Sequence, residues 1–152
     1  MSVQFQDFSI QVNEALDEKT VQFLEEAASE VESAAQRNSR KDSGQLKGSW
    51  NHQVNDAAKE AKVGSPLENA IWEEFGTGEY AVNGDGRKGG WYIPADELSA
   101  KAKSKMQKVT IKGQDFYHTY GKKPNHTLQR AFDSTKAAII RRAKEIFKEL
   151  GA

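Results

Sequence analysis

The stretch Ala70–Ala95, AIWEEFGTGEYAVNGDGRKGGWYIPA, crowds aromatic side chains around a glycine-rich middle, and six of the chain's twelve glycines fall between Gly76 and Gly90. How its flanks are read decides the fold. LENAIWEEFGT and WYIP are rich in β-branched and aromatic residues, which favours two strands joined by a long glycine-rich hairpin loop. The competing reading makes Leu67–Phe75 a short helix. The tip, VNGDGRKGG, has one apolar residue in nine and four glycines. It cannot bury enough surface to offset its own ordering entropy, so residues 76–90 read as a flexible loop. Trp72, Phe75, Tyr80, Trp91 and Tyr92, with Arg87 and Lys88, read as interface residues, because rigid aromatics and arginine are enriched where proteins meet. The alternative is that these aromatics fill the domain's own core.

Outward from this stretch, two helical patterns frame the chain. Between Glu14 and Arg37, Leu16, Val21, Phe23, Leu24, Ala27, Ala28, Val31, Ala34 and Ala35 recur at helical spacing without Gly or Pro. Leu128, Phe132, Thr135, Ile139, Ala143, Ile146, Phe147 and Leu150 form a second stripe over about residues 126–150, with Asn125 or Thr127 as cap and Gly151 at the stop. This stripe predicts that the second helix packs on the sheet through Phe132, Ile139, Ile146 and Leu150. LKGSWNHQVN alternates Leu46, Trp50, His52 and Val54 as a half-buried strand, and VTIKGQDFYHTYG offers one or two more. VQFQDFSIQV, within residues 1–13, reads as an edge strand or an extended arm. DELSAKAKSKMQK, within residues 96–108, is weakly helical and reads as mobile. The sum is one α+β domain over 1–152, two long helices packed on a small antiparallel sheet.

Composition narrows the function. No run of about 18 apolar residues exists, so no membrane-spanning helix is expected. MSVQFQDFSI has neither a basic start nor an apolar core, so a signal peptide is not expected and a cytoplasmic chain is the default. The absence of cysteine excludes disulfides, thiolate metal sites and cysteine nucleophiles. The formal net charge is zero, yet residues 1–76 hold 14 acidic against 7 basic residues, and residues 77–152 hold 15 basic against 8 acidic. Such a chain pairs its halves internally or stacks head to tail with copies of itself.

The catalytic survey is negative. GDGRKG (Gly84–Gly89) matches GxGxxG, but no helix opens after it, as a dinucleotide site requires. No phosphate-binding GxxxxGK[ST] occurs, and NGDGRKGG lacks the closing glutamate of a calcium loop. His52, His118 and His126 have no metal-ligand spacing. Glu73 and Glu74, adjacent on a strand, would point to opposite faces. The expectation is no enzyme, no catalytic residue, no metal and no cofactor. Lys101, Lys103, Lys105 and Lys108 are weak candidates for phosphate contacts. They carry the alternative function, a nucleic-acid-binding accessory protein using the basic carboxy-terminal half.

Three segments resemble one family. SGQLKGSW (Ser43–Trp50) is similar to the T-G-x-L-x-x-S segment of siphophage neck, or head–tail joining, proteins, often described as minor capsid or tail-component proteins. AIWEEFGTG (Ala70–Gly78) is similar to their Y-A-x-x-x-E-F-G-T motif, with Asn69 where the family has tyrosine. KPNHTLQRAFDSTKAAIIRRAKEIF (Lys123–Phe147) is similar to the closing P-x-x-F-L-x-P-A segment and its helix. The resemblance implies a small α+β structural subunit of a tailed bacteriophage or prophage, assembled as a ring at the neck. Its implied partners are other neck, connector or tail proteins and further copies of itself. DNA contact is left open, and no membrane is involved. Its place is the virion, and the host cytoplasm during assembly.

Overall fold

An Ala-, Glu- and Leu-rich run without Gly or Pro builds the longest element, α1 (Ser9–Asn38, 30 residues). At 1.5 Å per residue it is about 45 Å long. The computed structural model describes residues 9–40 and 44–151, with side chains from residue 13 onward. The edge strand or arm expected over residues 1–13 is corrected from Ser9 on, where the chain is already helical. Residues 1–8 lie outside the described residues, as does Ser43 of the first family motif.

After α1 come α2 (Gln45–Ser49), β1 (Asn51–Asn55), β2 (Glu60–Gly64), α3 (Asn69–Phe75), a 3-10 turn at Gly78–Tyr80, and β3 (Trp91–Pro94). A 3-10 turn at Ala95–Glu97, α4 (Ala100–Lys103), β4 (Gln107–Ile111), β5 (Gln114–Thr119), α5 (Thr127–Lys148) and a 3-10 turn at Glu149–Gly151 follow. The architecture is therefore α+β with small antiparallel sheets. It divides into two compact units, residues 1–67 with 127–152, and residues 68–126.

In the first unit α1 and α5 run antiparallel. Lys19 pairs with Glu149 (2.5 Å), and the rings of Phe23 and Phe147 lie 6.0 Å apart. Arg142 grips Glu26 through Nε and Nη2, and Asn38 Nδ2 donates to the Thr127 carbonyl (3.3 Å). Seven acidic and two basic residues lie in α1, six basic and two acidic in α5, so this packing absorbs most of the charge asymmetry of the chain. Grouped by unit the charges nearly cancel, 14 acidic against 13 basic in the first and 8 against 9 in the second.

The buried positions of this unit are mostly small: Ala28, Ala34, Ala35, Thr127, Ala131 and Thr135, with Val31 and Ile146. Small side chains let helices approach closely, and Thr135 satisfies its hydroxyl on the Ala131 carbonyl (2.8 Å). The face of α5 expected to pack on a sheet is thus corrected. The helix packs on α1, Ile146 is fully buried, and Phe132 and Leu150 are exposed.

The other side of α1 carries the hairpin β1–β2, registered from Asn51↔Gly64 to Asn55↔Glu60. His52 and Val54 alternate as expected, but Leu46–Ser49 are helical rather than strand. Leu46 and Trp50 are buried, and Trp50 Nε1 donates to Ser39 Oγ (2.7 Å), which in turn donates to Ala35 (2.8 Å). The SGQLKGSW segment therefore closes the carboxy-terminal end of α1.

The second unit holds the three-stranded antiparallel sheet β3-β5-β4. Lys112 and Gly113, both at positive φ, make the two-residue turn between β4 and β5, the conformation that matches strand twist. β3 pairs with β5, from Trp91↔Thr119 to Pro94↔Phe116. The long hairpin is thus corrected: Asn69–Phe75 is a helix, and residues 76–90 join that helix to a strand. Gly76, at φ 72°, ends α3 in a conformation that a residue with Cβ resists, with its N–H on the Trp72 carbonyl.

Candidate protein-interaction surface

The glycines of the second unit mark close backbone crossings. A Cβ on Gly76 would stand 2.8 Å from Pro124 Cδ and from the Tyr80 carbonyl oxygen. One on Gly90 would stand 2.7 Å from the His118 ring. Next to Gly76, Thr77 N–H donates to the Lys122 carbonyl, and Lys122 N–H donates back to Thr77 Oγ1, both at 2.9 Å. Glu79 N–H donates to the Tyr120 carbonyl (2.9 Å). The Glu74-Phe75-Gly76-Thr77 motif is therefore a junction that stitches the end of α3 to the segment after β5. Further along, Val82 N–H reaches back to the Phe75 carbonyl (2.9 Å), and Gly89 N–H to Glu79 Oε1 (3.0 Å). Only Gly84 and Gly89 in this loop face open space.

Above that junction α3 is inverted. Glu73 is buried at 2% exposure and pairs with Lys122, while Ile71, Trp72 and Phe75 stand 59%, 46% and 46% exposed. On an isolated helix one would bury the apolar side and solvate the carboxylate. The inverted pattern continues beyond the helix, since Tyr80, Val82, Tyr92 and Tyr120 are also exposed. Tyr92, His118 and Tyr120 form a row of tilted and edge-on ring contacts, with centroids 4.8 and 4.7 Å apart. The register explains it, because Tyr92 and His118 are cross-strand partners and Tyr120 follows His118 by two. Arg87 lies over the Trp91 ring at 5.9 Å and Lys123 over Tyr80 at 5.6 Å, ordinary cation–π distances.

Of the residues expected at an interface, Trp72, Phe75, Tyr80 and Tyr92 are exposed aromatics, Arg87 and Lys88 are exposed cations, and Trp91 is half-buried beneath Arg87. The candidate surface also carries Ile71, Val82, His118, Tyr120 and Lys123, which the sequence reading did not single out as interface residues. The alternation in YHTYG was the available signal for His118 and Tyr120. The paired acids are corrected as well: Glu73 and Glu74 lie on a helix, with Glu73 buried and Glu74 half-buried.

The lysine run spans two elements. Lys101 and Lys103 lie on the single turn of α4, Lys105 follows it, and Lys108 lies on β4. Lys108 pairs with Asp115 (2.7 Å), and this contact raises the lysine pKa and lowers that of the carboxyl. Among the described residues no group of three or more His, Asp or Glu is placed to hold a metal. No helix there is long and apolar enough to cross a membrane.

His52, on β1, sits between two carboxylates two turns apart on α1. Its Nδ1 faces Glu32, and its Nε2 faces Glu25 at 3.0 Å. Only the doubly protonated ring donates to both. The hydrogen bond to Glu32, then that to Glu25, raises the His52 pKa above its ordinary value.

Residues 5–76 match the model of the HK97-gp10-like family, described as "Bacteriophage HK97-gp10, putative tail-component". No curated protein and no solved structure gives a significant match. The matched span contains α1, α2, the β1–β2 hairpin and α3, and ends at Gly76 inside the Glu74–Thr77 motif. The resemblance carried by Ser43–Trp50 and Ala70–Gly76 thus meets an independent match, and over residues 5–76 this chain matches a bacteriophage tail-component family.

Proposed function

We propose that this chain is a non-enzymatic structural subunit of the phage neck, a head–tail joining or tail-completion component that assembles as a ring. It works without catalytic residues or a cofactor, and it docks on neighbouring neck, connector or tail proteins. Assembly takes place in the host cytoplasm and the product is part of the virion. The observation that carries this reading is the inverted helix α3, which turns Ile71, Trp72 and Phe75 outward, in a unit where Tyr80, Tyr92 and Tyr120 are exposed as well. Large apolar side chains turned outward from one helix face favour a protein-binding site. Trp72, Phe75, Tyr80 and Tyr92 are the anchors, and Arg87, Lys88 and Trp91 border them.

The test is a phage carrying Trp72→Ala and Phe75→Ala together. Truncating two central aromatic anchors costs an interface about 2 kcal/mol or more each. The variant should keep the circular dichroism spectrum of the parent, while electron micrographs of lysates show heads and tails unjoined. Joined, infectious particles at parental yield would overturn the proposal.

A further inference from the structure

A groove remains open in the first unit beside the contact of α1 with α5, lined by Ala27, Ala138 and Ile139 together with Glu25, Glu30 and Ser29. Its volume of about 580 Å3 falls within the range of binding clefts. Part of its charge is already matched, since Glu26 holds Arg142 and His52 lies between Glu25 and Glu32. Glu30 and Ser29 are exposed at the groove, and Glu30 forms no ion pair among the described residues. The groove therefore offers carboxylate at its edge over an apolar lining. In the second unit, Arg87 and Lys88 are exposed on a segment whose Gly84 and Gly89 meet open space. The Arg87 guanidinium is held over the Trp91 ring rather than engaged by a carboxylate.

We propose that Arg87 and Lys88 of one copy dock in the α1–α5 groove of a second copy. This rests on the reading of the chain as a ring-forming subunit, and it names the contact that builds the ring. The cations meet Glu30, the groove carboxylate that no cation of its own chain holds among the described residues, and their methylene stems lie along Ala27, Ala138 and Ile139. Groove and cationic segment are different surfaces, so the contact is heterologous. Repeated contacts of that type close into a ring or run on as a filament, whereas a self-complementary contact stops at a dimer.

The chain has no cysteine, so introduced thiols report without background. Phage are made with Ser29→Cys plus Lys88→Cys, with Ala138→Cys plus Lys88→Cys, and with each single substitution, so that Arg87 and Glu30 stay in place. Purified virions are mildly oxidised and run on a non-reducing gel. A disulfide needs Cα atoms within about 7 Å, so it forms only if the surfaces meet. At least one double variant should give a ladder of covalent multimers that every single variant lacks. Incorporated double variants that stay monomeric, stop at dimers, or cross-link to another virion protein overturn the docking and leave the neck reading standing. Absence of the unaltered chain from virions overturns the neck reading itself, and the docking with it.

Discussion

Nine apolar residues are buried among the described residues; eight of them lie in the unit built from α1, the β1–β2 hairpin and α5, and only Ala70 lies in residues 68–126. The first unit follows ordinary patterning, with alanine, valine and isoleucine inward and charge outward. The second reverses it at α3, with a glutamate inward and tryptophan, isoleucine and phenylalanine outward. The first also spends its charge internally, pairing acidic α1 with basic α5. The second unit joins its three-stranded sheet to α3 through a junction where Gly76, Gly78 and Gly121 let backbones approach closely. The difference separates a scaffold from a surface.

The largest loss of stability is expected in the first unit. Ile146→Asp places a charge at a position of 0% exposure and should cost about 4 kcal/mol or more, unfolding much of the population. Ile139→Asp, on the half-buried wall of the groove, should cost much less. Thermal melts of both variants decide, and an Ile146→Asp melt within a degree of the parent would place α5 outside the core.

A smaller effect tests the glycines. Gly76→Ala and Gly84→Ala both carry a positive-φ penalty of about 1 kcal/mol or more, and Gly76, at ψ 176°, lies in the region almost reserved for glycine. Only Gly76 also drives its Cβ against Pro124, Tyr80 and Lys122, so its denaturant midpoint should fall clearly further. Equal midpoints would mean that the junction at Thr77 is loose.

The smallest expected effect is the pH response of His52. Its folded pKa is raised above the unfolded value of 6.5, so its stabilising contribution is complete below that value and is lost as pH rises through the folded pKa. Urea unfolding of the parent and of His52→Gln should therefore differ more at pH 5.5 than at pH 9. The comparison between variants removes the background titration of other groups, and a gap that widens with pH would contradict the clamp by Glu25 and Glu32.

The two long helices were legible because their apolar periods run unbroken for many turns, whereas VTIKGQDFYHTYG read only as one or two strands, and the turn at Lys112–Gly113 went unread. The packing face of α5 was not legible either. Weighting large residues selected Phe132 and Leu150, whereas the helix buries Thr127, Ala131 and Thr135, where small size permits close approach. β2 went unseen because EAKVG has little β-branched content. α3 misled for a physical reason: its outward Ile71, Trp72 and Phe75 look like strand residues, and its inward Glu73 erases the usual helical stripe. Sequence rules that assume an apolar side turned inward do not read a helix whose apolar side chains are outward. The aromatic interface candidates were legible from composition, but His118 and Tyr120 needed the register of β3 on β5.

Hydroxyl-radical footprinting of the isolated chain and of assembled virions tests the division between scaffold and surface most directly, because it reads aromatic side chains individually. Trp72, Phe75, Tyr80 and Tyr92 should be modified readily in the isolated chain and protected in the virion. Trp50, 4% exposed, should be protected in both. Trp72, Phe75, Tyr80 and Tyr92 modified to the same extent in virions as in the free chain, or already protected in the free chain, would contradict the account.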